Sequence, residues 1–201
     1  MKNNLILSIL IIFCFQNLAL SQGFNFKGSN IEILDNGNQI NANRGTAFSS
    51  DYNLEITSDR FEYLKDVDIL KSFGNGTVIV KSEKLEMKYD NAIFDQKNST
   101  VEATGNVEIF HMYEGFIIKN NKVIYDQKNN IVSSDDTTRI EDKFGNLYFV
   151  DNFKFEINKN LIKVKNLVTK DNQNNIFKSS LAFFNTKSGK VFGKDVNANL
   201  N

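Results

Sequence analysis

The chain has no proline and no tryptophan, a single cysteine, a single histidine, and no net charge, with 24 basic against 24 acidic residues. Each shortage removes a class of protein. Balanced charge leaves no electrostatic footprint for nucleic acid. The lone histidine, His111, lies beside Met112 and Tyr113 with no nucleophile and orienting group in reach of its motif, so it reads as a turn or surface residue rather than a catalytic or metal-binding one. Metal sites need clustered ligands, and the acidic pairs Asp66-Val67-Asp68 and Asp135-Asp136 lack calcium-loop spacing, so they read as solvated turns. No cofactor, no metal and no enzymatic activity are expected. Cys14 falls in the leader described next and follows Phe13, not the small residue that a lipidation site requires. The remaining chain then has no disulfide to lean on and must be held by its own core, for which about 180 residues suffice.

The first residues look like an address rather than a fold. Lys2 supplies a positive start, residues 5–15 an apolar stretch, and Ala19-Leu20-Ser21 a small-x-small cleavage pattern. A cleaved export signal over residues 1–21 is expected, with Gln22 as the new N-terminus. The competing reading is an uncleaved anchor, but residues 5–20 are short for a span and are interrupted by Gln16-Asn17.

What the chain has in abundance is asparagine, phenylalanine and alternation: 30 Asn and 18 Phe. No stretch after residue 22 sustains helical spacing, whereas apolar and charged residues alternate repeatedly. Phe61 and Tyr63 alternate with Arg60 and Glu62; Leu85, Met87 and Tyr89 with Lys84, Glu86 and Lys88; Phe153, Phe155 and Ile157 with Lys154 and Glu156. Val101, Ala103, Val107 and Ile109 share one face provided that Gly105-Asn106 forms a bulge. Asn- and Gly-rich clusters punctuate these runs at residues 35–38, 126–130, 144–146 and 185–189, and Phe73-Gly74-Asn75-Gly76 reads as a further hairpin turn. Tyr63, Tyr89, Tyr125, Ile157 and Phe184 are expected to end successive strands, at the spacing of a repeat architecture. Between strand ends lies a turn, Asp90 to Asp95 in the clearest copy, and then a strand opening on Gly-x-Val. The pattern predicts an all-β, antiparallel stack of hairpins in one domain over residues 24–199, apolar on one side and wet on the other. Residues 190–200 still alternate where the sequence stops, as expected of an open edge or of a chain that continues.

Three segments carry a family resemblance: Ser58-Asp59-Arg60-Phe61-Glu62-Tyr63, Ser82-Glu83-Lys84-Leu85-Glu86-Met87-Lys88-Tyr89, and Val101-Glu102-Ala103-Thr104-Gly105-Asn106-Val107-Glu108-Ile109. Together with residues 24–33 they resemble the OstA-like domain family, which includes LptA and the N-terminal domain of the lipopolysaccharide-assembly protein LptD. Residues 177–185 look more like the LptD form. The resemblance implies a β-jellyroll, or β-taco, located in the periplasm or at the outer membrane. It implies an interior that shields the lipid A acyl chains of lipopolysaccharide, and open edges that pair strand to strand with other Lpt proteins. The inward residues that would line such a groove are Phe61, Tyr63, Val78, Leu85, Met87, Tyr89, Val101, Ala103, Val107, Ile109, Val123, Tyr125, Phe153 and Phe155. A free LptA bridge, or a structural β-repeat protein that binds no lipid, are the alternatives.

Overall fold

A computed structural model describes residues 23–49, 53–112, 114–170 and 175–199. The expected export signal lies outside them. Among the described residues there is no α-helix; fifteen strands form one antiparallel sheet, and three short 3-10 turns complete the regular structure. The strands are β1 (Asn25–Leu34), β2 (Gln39–Ser49), β3 (Leu54–Leu64), β4 (Ile69–Val80), β5 (Leu85–Asp95), β6 (Thr100–His111), β7 (Ile117–Asp126), β8 (Ile131–Ser134), β9 (Thr138–Glu141), β10 (Leu147–Val150), β11 (Asn152–Glu156), β12 (Leu161–Lys170), β13 (Ile176–Asn185), β14 (Lys190–Lys194) and β15 (Asn197–Asn199). Strands β1 to β8 pair in sequence order. Beyond them each long strand faces two short ones. The start of β7 pairs β9 and its end pairs β8, while β12 pairs β10 and β11 and β13 pairs β14 and β15.

This pairing describes a sheet folded along a line that crosses every long strand and passes between the short ones. One arm contains residues 39–43, 60–64, 69–73, 91–95, 100–104 and 122–126, then β8, β11 and β14. The other contains residues 45–49, 54–57, 76–80, 85–89, 107–111 and 117–119, then β9, β10 and β15. Side chains meet across the fold. Phe26 packs on Phe61 with ring centroids 5.9 Å apart, Phe116 on Phe155 at 5.2 Å, and Tyr148 on Phe184 at 4.7 Å. Edge-to-face pairs of this kind add roughly 0.5–1.5 kcal/mol each beyond the area they bury.

The line is built from left-handed residues. Arg44, Asn75, Asn106, Asn166 and Asp195 all have positive φ, at intervals close to 30 residues or a multiple of it. Asn tolerates this conformation better than most residues because its short amide bonds locally. Here the amide also ties the corner across strands. Asn75 donates to Asp59 at 2.7 Å, Asn106 to Asp90 at 2.8 Å and Asn166 to Asp151 at 2.7 Å. Gly105 precedes one such Asn at φ 74°, and a Cβ there would sit 2.5 Å from the Asp90 carboxylate, so glycine is required twice over.

Two sequence expectations are corrected by this geometry. Gly74-Asn75-Gly76 is not a hairpin turn: it lies inside β4 as a bulge, where pairing with β5 skips from Phe73 to Gly76. Likewise residues 90–95 continue β5 rather than turning, so Gly-x-Val falls in mid-strand and Tyr89 does not end one. The anticipated bulge at Gly105-Asn106 is present, between Thr104 and Val107.

At the closed ends of one arm the turns stack into a staircase. Lys65 donates its N–H to Asn38 O, Gln96 to Asp68, Gln127 to Ser99, Ile157 to Asn130 and Thr186 to Asn160, at 2.8 to 3.1 Å. Each step is 29 to 31 residues when followed through Asn38, Asp68, Ser99, Asn130, Asn160 and Gly189. Five residues before the step stands the aromatic that ends the strand: Tyr63, Phe94, Tyr125, Phe155 and Phe184. Phe94 and Phe155 thus take the places expected for Tyr89 and Ile157; Ile157 opens a 3-10 turn instead. Asx bonds lock the turns. Asp95 accepts the Asn98 N–H and amide at 3.0 and 2.7 Å, and Asp126 accepts the same pair from Asn129.

Candidate functional site

The space between the two arms is the only apolar interior that the fold creates among the described residues, and the sequence-predicted residues all lie in it. Phe61, Tyr63, Val78, Leu85, Met87, Tyr89, Val101, Ala103, Val107, Ile109, Val123, Tyr125, Phe153 and Phe155 are each at most 3% exposed and belong to one contiguous cluster. The bulges explain why a single face stays inward along strands of up to twelve residues. One extra residue at the fold line restores the alternation on the far arm, so Leu70 and Val78 of β4 both point inward.

Sequence reasoning missed several members. Phe24 and Phe26 close the β1 end of the interior against Tyr63 at 5.6 and 5.9 Å. His111 is a correction: it is buried, not at the surface, and stacks on Phe116 at 5.3 Å with Phe155 at 6.1 Å. Burial pushes its imidazole below the usual range, outweighing the nearby Glu114 and Glu83, so it is a neutral core residue. Its Nδ1 accepts the Glu114 N–H at 3.3 Å. Ile118, Ile140, Tyr148, Ile162 and Phe184 also line the interior, and the alternation of Leu147–Val150 and of residues 161–164 would have exposed most of them.

The buried tyrosines each find a partner for the hydroxyl, as the cost of an unpaired polar group demands. Tyr63 donates to Asp68 at 3.2 Å, Tyr125 to Asn130 at 3.0 Å and Tyr148 to Asp142 at 2.9 Å, while Tyr89 shares a 3.0 Å bond with Ser72 on the opposite arm. Burial, then the charge and hydrogen bond of Asp68, push the Tyr63 phenol up to about 12. Burial raises Tyr89 and Tyr125 as well. None of these is a poised acid or base; they are fasteners. Among the described residues no group of three or more metal-ligating side chains comes together, and no helix is long and apolar enough to cross a membrane.

At the β14 end the arms diverge into a cleft. Phe116, Ile140 and Tyr148 line it from one arm, Ile162, Phe184 and Val191 from the other, and Phe144 flanks it. Its free volume is about 40 Å³, room for a little water rather than for an acyl chain. Beside it the loop from Asp142 to Asn146 is tied to Asp142. Burial pushes that carboxyl up, but donors from Asn146, Tyr148 and the Phe144 N–H outweigh it and hold it below the usual range. At both ends inward-facing apolar residues reach solvent: Ile33 is 67% exposed at β1, and Val191 is 42% exposed at β14. Both flanking strands pair on one side only among the described residues.

No family model matches the sequence, and no curated protein matches it either. Solved structures do. LptH from Pseudomonas aeruginosa, described as the LptA-homologous periplasmic component of the lipopolysaccharide transport device, superposes with a TM-score of 0.50 at 14% identity. The match covers 58% of this chain and 94% of that one. A TCP10 domain of CPAP from Danio rerio aligns over 86% of this chain and 100% of that one at 12% identity, but its TM-score is 0.17 and it carries no argument. The likeness to LptH is one of fold: this chain is an all-β, antiparallel jellyroll of the LptA type.

Proposed function

We propose that residues 24–199 form a periplasmic lipopolysaccharide-transport module, a binding and conducting body rather than an enzyme. The observation that carries this reading is the uninterrupted apolar interior between two arms, flanked at each end by a strand paired on one side only, in a fold shared with an LptA homologue. The acyl chains of lipid A are the substrate class that such an interior suits. The open edges at β1 and β14 would take strands of other Lpt proteins, since unpaired strand edges are templates for strand addition. The finer assignment proposed, from the likeness of residues 177–185 to the LptD form, is the N-terminal domain of LptD at the outer membrane, exported by the signal expected in residues 1–21. A reading frame running beyond Asn201 into barrel strands supports it, and a stop codon there makes the protein a free LptA-like bridge instead.

One observation favours a second reading. The interior is filled by its own side chains, as expected of a structural β-repeat protein that binds no lipid. On the transport reading the arms part at the β14 cleft to admit a chain. Photo-crosslinking separates the two. A crosslinker at Phe61, Met87, Tyr125 or Phe184 should give lipopolysaccharide adducts, and one at outward-facing Thr77 should not. Absence of adducts from every inward position, while LptH labels in the same experiment, leaves the structural reading standing.

A further inference from the structure

The neutral chain hides a division of charge. Residues 23–150 carry 14 basic and 20 acidic side chains, net −6, whereas residues 151–201 carry nine basic and four acidic, net +5. In the first region six of the 14 cations pair with acids, Lys88 with Glu86 at 3.6 Å among them. Lys71 pairs with Glu62, Lys81 with Glu55, Lys119 with Glu108, Lys122 with Glu102 and Arg139 with Glu141, at 2.6 to 3.2 Å. The last strands differ. On the outward face of β11 to β14, Lys154 stands directly opposite Lys163, and Lys163 opposite Phe183, which in turn faces Phe192. The next row runs Lys165, Leu181, Lys194. Lys190 shares the face with Phe192 and Lys194 on β14.

Among the described residues, Lys163, Lys165, Lys190 and Lys194 form no salt bridge. Of the carboxylates on and beside this face, Glu156 is taken by Lys159 at 2.5 Å and Lys154 at 3.7 Å, Asp195 accepts from Ser180 Oγ at 2.7 Å, and Asp151 accepts from the Asn166 amide at 2.7 Å. Like charges placed directly opposite across a sheet are unfavourable, so the fold gains nothing by holding this array together. Phe192 is 58% exposed in its midst, and Lys163 lies 5.9 Å over the Phe183 ring. The face is four strands, or about 15 Å, wide.

We propose that the outward face of β11, β12, β13 and β14 is a docking surface for an anionic bilayer, with the lysines against lipid phosphates and Phe192 in the headgroup layer. Basic residues with an exposed aromatic among them on a sheet face match that chemistry, and the acidic remainder of the molecule keeps the contact to this face. The surface lies outside the interior and stands apart from the transport reading: it survives if no lipopolysaccharide enters between the arms.

Flotation of the full chain with vesicles tests it, comparing phosphatidylcholine alone with phosphatidylcholine plus 30% phosphatidylglycerol. The apolar stretch in residues 5–20 contributes to both, so the ratio between the two isolates charge. The triple variant K163Q/K165Q/K194Q should lower the preference for anionic vesicles about 100-fold, from about five-fold per lysine near an anionic surface. The control K71Q/K88Q/K119Q, which removes the same formal charge from the paired region, should leave it nearly unchanged. Thermal melting shows whether both variants remain folded. Equal binding to both vesicle types, or an equal effect of the two triple variants, overturns the proposal. So does retention on a soluble polyanion such as heparin without any preference for anionic vesicles, which would make the face a site for an acidic macromolecule.

Discussion

The first seven strands and the last eight make the same bend by different means. In β4 and β6 the chain crosses the fold line in one piece, with Gly74-Asn75 and Gly105-Asn106 absorbed as bulges. Further along, the crossing breaks. Residues 135–137 separate β8 from β9, Asp151 separates β10 from β11, and residues 195–196 separate β14 from β15. Yet the corner sits in the same place, and the Asn166–Asp151 bond has the length of Asn75–Asp59. At Asn166 the left-handed residue and its Asn–Asp tie therefore persist although the strand they tie to is broken at Asp151. Where glycine precedes the left-handed residue the ladder runs on through a bulge. At residues 135–137 and 195–196 the backbone instead leaves the ladder and rejoins it after the corner.

The sharpest way to break the comparison is to charge the interior at its packed and open ends. Met87→Asp, at a site 1% exposed, should cost several kcal/mol by burying an unpaired carboxylate. Val191→Asp, inward-facing but at the exposed edge, should cost under about 1 kcal/mol. Denaturant midpoints decide it, and similar losses would mean that the β14 end is as tightly closed as the middle. Next comes the corner. Gly105→Ala should cost about 2–3 kcal/mol through its positive φ and its collision with Asp90. Asp136→Ala, at a broken corner, should change stability by less than about 0.5 kcal/mol. Equal effects would show that bulge and break are not alternatives.

The smallest expected effect is a pH dependence that links the two regions, because His111 of β6 packs on Phe155 of β11. Burial lowers the folded-state pKa of His111, so the unfolded chain binds the proton more readily. Stability should be unaffected above about pH 6.5 and fall as pH drops from there through the lowered folded value. His111→Phe should remove that component in thermal melts taken between pH 7 and pH 5. An unchanged slope would mean that the ring is wetter than its packing implies.

Alternation made the faces legible from the sequence, because a period of two assigns every strand residue to one side whatever its partner. That is why all fourteen expected interior residues are buried. Alternation says nothing about position along the strand. Tyr89 and Phe94 both point inward on β5, one on each arm, and nothing local distinguishes the mid-strand aromatic from the terminal one. The same ambiguity made Gly74-Asn75-Gly76 read as a hairpin, since a left-handed Asn beside glycine serves turns and bulges alike. The outward lysines of the last strands escaped notice for another reason: a charge total averages over regions that the fold keeps apart.

The staircase of turns fixes a ruler. Each step of about 30 residues adds two strands, hence roughly 10 Å along the stack at the usual strand spacing. From the Asn38 turn to the Gly189 turn the body spans about 50 Å by that spacing. Reach is thus proportional to sequence length, and a gain or loss of one repeat would change the distance the molecule bridges by a quantised increment while leaving its cross-section the same.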